Sequence, residues 1–127
     1  MEDYTQNTEV GQSKYNSALA QQYRLNDLWE KCHLYAFGGN FKNYKFTLDR
    51  IWVELAPEAT PEQIKNKKQH VVLISNLFKE NEETLNASKI VRNKLYGALQ
   101  GYEIFLRKVL NSQGKGIALK EDTESVD

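Results

Sequence analysis

Residues 85–110 read LNASKIVRNKLYGALQGYEIFLRKVL, and the apolar residues in this stretch recur in steps of three and four. At 100° per residue, Val91, Leu95, Ala98, Tyr102, Phe105, Leu106 and Val109 fall on one stripe. The spacing predicts a long amphipathic helix. Its other side carries Lys89, Arg92, Lys94, Arg107 and Lys108 against one acid, Glu103, so it shows positive charge outward.

Working outward, the rest of the chain repeats this period. At 127 residues it fits one domain and can bury roughly two-thirds of its unfolded surface. The 40% hydrophobic and 27% charged fractions are globular values, and no window approaches the ~20 apolar residues of a membrane span. Met1 to Gln12 is polar and acidic, unlike a secretory signal. One cysteine, Cys32, allows no internal disulfide, so the expected location is the cytoplasm. The Lys, Asn and Tyr richness is what an AT-rich coding sequence gives, as in many viruses and mobile elements.

Net charge is zero but unevenly placed. Residues 1–9 and 120–127 each sum to −3, which leaves +6 for the middle. The acidic ends either solvate the termini or compete with an anionic partner for the basic face.

The expected fold is an all-α, antiparallel bundle of four helices, near residues 13–37, 41–56, 61–80 and 82–111, with a long C-terminal helix. Residues 1–12 form a flexible acidic arm and 112–127 a flexible acidic tail. Ser13 caps the first helix, and Gly38 and Gly39 end it. Asn40 then caps the second, whose stripe is Phe41, Tyr44, Leu48, Ile51, Trp52 and Leu55. Pro57 stops that helix, and Thr60, Pro61 and Gln63 form a capping box with proline at the first helical position. Ile64, Val71, Ile74 and Phe78 mark the inner face of the third. Asn81, followed by Glu82 and Glu83, reads as the next N-cap. The alternative is one continuous helix from Pro61 to Asn111, which would require oligomerisation.

Chemistry is scarce in this pattern. Cys32 and His33 are adjacent and point about 100° apart, so they suit neither one metal nor a nucleophile and its base. His70 stands alone. Asp49 and Glu54, five apart, are a poor carboxylate pair. There is no P-loop, dinucleotide fingerprint or serine elbow. No residue is nominated as catalytic, metal-binding or cofactor-binding, and no cofactor is expected.

Two partner classes remain. Phe46 and Val53 lie off the apolar stripe of the second helix. Gly97 and Gly101 each lower intrinsic helix stability by nearly 1 kcal/mol, which points to close approach by another helix. These four define a protein interface, for self-association or another protein. The alternative is DNA or RNA bound by Lys65, Lys67, Lys68, Lys89, Arg92, Lys94, Arg107 and Lys108, with Tyr96 stacking on a base.

Overall fold

The computed structural model describes the backbone of residues 2–84 and 89–115, with side chains for 17–80 and 89–115. Four helices make up the described chain, with no strand among them: α1 Glu2–Gly38, α2 Phe41–Leu55, α3 Pro61–Thr84 and α4 Lys89–Ser112. A 3-10 turn at Ala56–Glu58 follows α2. The all-α class is as the periodicity predicts.

The helix ends form where the capping residues place them. Gly39 takes φ +75°. Its N–H donates to the Ala36 carbonyl (3.2 Å) and that of Asn40 to Tyr35 (2.9 Å), which closes α1 with the paired bonds of a Schellman cap. The Asn40 side chain then accepts from the Asn43 N–H at 3.2 Å and starts α2. At α3, Gln63 N–H donates to Thr60 Oγ1 (3.1 Å) while Thr60 N–H donates to Gln63 Oε1 (3.0 Å), the reciprocal capping box. Gly114, at φ +73°, closes α4 in the manner of Gly39.

Two boundaries differ from the sequence reading. The backbone is helical from Glu2 rather than Ser13, so α1 is the longest helix at 37 residues, while α4 has 24. Residues 2–12 contain no proline, and a helix seeded downstream extends through a polar segment by adding one hydrogen bond per residue. Between α3 and α4, residues 85–88 lie outside the described residues. The two helices nonetheless pack on each other, which excludes one straight helix from Pro61 to Asn111. The predicted acidic tail lies outside the described residues from 116 onward.

The core sits where α1, α2 and α4 converge. α1 supplies Leu25, Trp29 and Cys32, and α2 supplies Tyr44, Leu48, Ile51, Trp52 and Leu55. α4 contributes Leu95, Leu99, Tyr102, Leu106, Val109 and Leu110, most of them with no exposed surface. Among the described side chains of α3, Ile74 alone is fully buried, with Val71, Leu77 and Phe78 packed against it in part. Burial of this kind stabilises by ~25 cal/mol for each Å² of apolar surface removed from water. Among the described residues α4 supplies the most buried side chains and packs on α2 and α3, while α1 packs chiefly on α2.

Candidate interaction surfaces

Polar side chains tie the helices at defined points. Tyr44 OH on α2 donates to Glu103 Oε1 on α4, and Tyr102 OH on α4 donates to Asp49 Oδ1 on α2 at 2.8 Å. Lys45 Nζ holds the other Asp49 oxygen at 2.9 Å. Burial together with these carboxylates pushes both tyrosine hydroxyls well above their ordinary pKa, so they remain donors. Between α1 and α2, Arg24 Nε and Nη2 each reach a Glu54 oxygen at 3.0 Å, and Gln21 adds a bond to the same carboxylate at 3.2 Å. The Arg24 hydrogen bonds hold the Glu54 carboxyl below the usual range. Asp49 and Glu54 thus belong to two separate interhelical clamps.

The sulfur and imidazole groups are likewise absorbed into packing. Cys32 is fully buried, and desolvation pushes its thiol up to about 12. His70 stacks on Tyr102 at 5.9 Å and on Phe105 at 5.0 Å between centroids, and burial lowers its pKa. His33 is exposed and points about 100° round α1 from the buried Cys32. Among the described residues no three His, Cys, Asp or Glu side chains converge as a metal site, and no helix is long and apolar enough to cross a membrane.

The predicted basic face divides. Arg107 lies inward: its Cζ stands 4.2 Å over the Trp29 ring, and it pairs with Glu103 at 3.1 Å. Tyr96 also turns to the core, half-buried with its ring 5.9 Å from that of Phe41. Lys67 Nζ covers Trp52 at 5.8 Å. The cations left outward are Lys65, Lys68, Lys89, Arg92, Lys94 and Lys108, all exposed. Gln63 Nε2 donates to Ser112 Oγ at 3.2 Å, so the start of α3, with Lys65 and Lys68, meets the end of α4 near Lys108. Lys89, Arg92 and Lys94 begin α4 at its other end.

The predicted protein interface divides in the same way. Phe46 and Val53 are exposed on α2 opposite its buried line, and Phe46 separates two clefts. One, of about 290 Å³, opens between α1 and α2 above Leu28, Tyr35 and Thr47. The other, of about 280 Å³, is walled by Lys45, Asp49 and Phe78. Gly97 and Gly101 lie on the outer face of α4, and a Cβ added at either meets nothing within 4 Å. Among the described residues no helix uses the close approach they permit.

Composition reading missed Tyr23, Leu34 and Phe37 on α1 and Ile90 and Ile104 on α4, all exposed; Phe37 is 95% exposed. Their signal was present: 23, 27, 30, 34 and 37 are spaced by four and three, a second stripe on the side of α1 away from Leu25 and Trp29. The structure also joins Tyr44 and Tyr102, read only as apolar positions, to acids across a helix interface. Comparison of the chain with protein-family models, with characterised proteins and with solved structures finds no match.

Proposed function

We propose that this chain is a non-catalytic helical interaction protein that assembles through apolar surface left on the outside of its helices. One observation carries the reading: all four helices present large apolar side chains outward, among them Phe37, Phe46, Val53, Val72, Ile90 and Ile104, each more than half exposed. Large apolar side chains left exposed in this number on one small chain are what association sites are built from. The arrangement we infer is an antiparallel bundle. The tight turn at Gly39 and the Gln63–Ser112 bond support it, since each sets the start of one helix beside the end of its neighbour. Phe46 and Val53 on α2, and Gly97 and Gly101 on α4, are then separate contact surfaces.

Sedimentation equilibrium across a concentration series tests the reading. A mass that rises above the 14.7 kDa monomer as concentration increases is expected. A strictly monomeric mass at high micromolar concentration would overturn it.

A second reading rests on the six outward cations, none of which pairs with a carboxylate among the described residues. In it they contact the phosphates of DNA or RNA. Binding should then fall linearly on a logarithmic salt scale, losing roughly 0.7–0.9 in slope for each phosphate contact removed by substitution. Arg107 and Tyr96 take no part in it.

A further inference from the structure

The outer faces of α1 and α4 are built to the same spacing and carry opposite charge. On α1 the face runs Tyr23, Asp27, Glu30, Leu34 and Phe37, with two acids, and although Lys31 at its edge pairs with Asp27 at 3.2 Å, the face stays net acidic. On α4 it runs Ile90, Lys94, Gly97, Gly101, Ile104 and Lys108, with two cations and no acid. All of these positions are exposed except Gly101, which is half-buried, and both faces step by four, three, four and three residues. Neither can meet the other within one chain, because each points away from the shared core.

We infer that the α1 face of one copy packs on the α4 face of the next, head to tail; the inference rests on the self-associating reading above. Laid side by side in the same direction, Tyr23 meets Ile90, Asp27 meets Lys94, Glu30 meets Gly97, Leu34 meets Gly101 and Phe37 meets Ile104. Gly101 leaves a hole for the leucine, which gives the glycine pair the close neighbour that it lacks within the chain. Lys108 falls one turn further on, beside the carbonyl end of α1, a helix with no basic residue in its last turn. In the opposite direction Asp27 would face Ile104 and Lys94 would face Phe37, while Glu30 faces a glycine in either, so the Asp27–Lys94 pair selects the parallel alignment. Two unlike faces joined in this way close into a ring or extend as a filament, and do not form a two-fold dimer.

Two charge-reversed chains test the pairing by sedimentation, with helicity by circular dichroism as the check of folding. Asp27→Lys/Glu30→Lys makes both faces basic, and Lys94→Glu/Lys108→Glu makes both acidic. Each alone should associate about ten-fold or more weakly than wild type, because like charges then meet. An equimolar mixture should assemble again, with the two chains alternating. Either variant assembling alone as wild type does, or a mixture that stays monomeric, overturns the pairing while leaving self-association by another surface intact. A wild-type chain that never associates overturns both. Should a reversed pair fail to fold, a Leu34→Cys chain mixed with a Gly101→Cys chain should form a disulfide under mild oxidation. Failure of that cross-link where wild type assembles also overturns the pairing.

Discussion

The guanidinium of Arg107 lies flat enough on Trp29 to bring its Cζ within 4.2 Å of the ring centroid, while its Nε and Nη2 both donate to Glu103. One side chain thereby joins α1 to α4 and fixes the carboxylate that receives Tyr44 from α2. The Trp29 indole N–H has no acceptor among the described residues, so the ring is held by its face rather than by its nitrogen.

Arg107→Ala should therefore destabilise the fold by about 1–2 kcal/mol, from the lost cation–π contact and ion pair together. Arg107→Lys should recover only part of this, because an ammonium cannot lie on the ring and hold the carboxylate at once. Urea unfolding curves of the three chains give the comparison. Equal stability of Arg107→Ala and wild type would show the contact to be idle.

Gly97→Ala and Gly101→Ala should each raise monomer stability by about 0.5–1 kcal/mol. Helix propensity favours alanine, and the added methyl meets no neighbour. The same substitutions should weaken self-association if the glycines admit another copy. Thermal unfolding and sedimentation on the same samples separate the two effects.

Glu54 links stability to pH. Its folded pKa lies below its ordinary value of 4.5, chiefly through the Arg24 hydrogen bonds. Its contribution is then present above the unfolded value and is lost as pH falls through the lower folded value. Glu54→Gln should be less stable than wild type at pH 7, and the gap should close on acidification below about 4.5. A gap that stays constant from pH 7 to pH 3 would mean the clamp contributes nothing through charge. Arg24 is half exposed, so screening keeps the effect modest.

Cys32 should be inert to an aromatic disulfide reagent at pH 8 in the native protein, since its thiol is fully buried and desolvation pushes its pKa up to about 12. Labelling should follow unfolding as urea is raised. Rapid native labelling of one equivalent would show that the α1–α4 contact opens readily.

Much of this architecture is legible in the chain because it rests on local rules. Thr60 with Gln63, Asn40, Gly39 and Gly114 work through bonds to residues within a few positions, and the α2 and α4 stripes follow from period alone. What the chain does not disclose is the flank. Tyr96, Glu103 and Arg107 lie at the border of the α4 stripe, and only the approach of α1 and α2 along that side decides that they face inward. The charges of Glu103 and Arg107, and the cations around Tyr96, suggested solvent, and tertiary packing overrode the suggestion. The position of Phe46 and Val53 away from the buried line of α2 was legible from period, but the outer line of α1 was read as part of a helix and not as a surface.

The slender anchoring of α3 gives this protein a preferred seam of failure. With Ile74 as its one fully buried described side chain, α3 is held by that residue, the partly buried Val71, Leu77 and Phe78 and the His70 stack, whereas α2 and α4 share a continuous, fully buried interior. Cooperative units with less burial open at lower free energy. Amides of α3 should thus exchange with deuterium ahead of those of α2 and α4. Each such opening uncovers Tyr102 and Phe105, so the chain's transient state is stickier than its resting one, and the trio of α1, α2 and α4 outlasts its fourth member as the molecule comes apart.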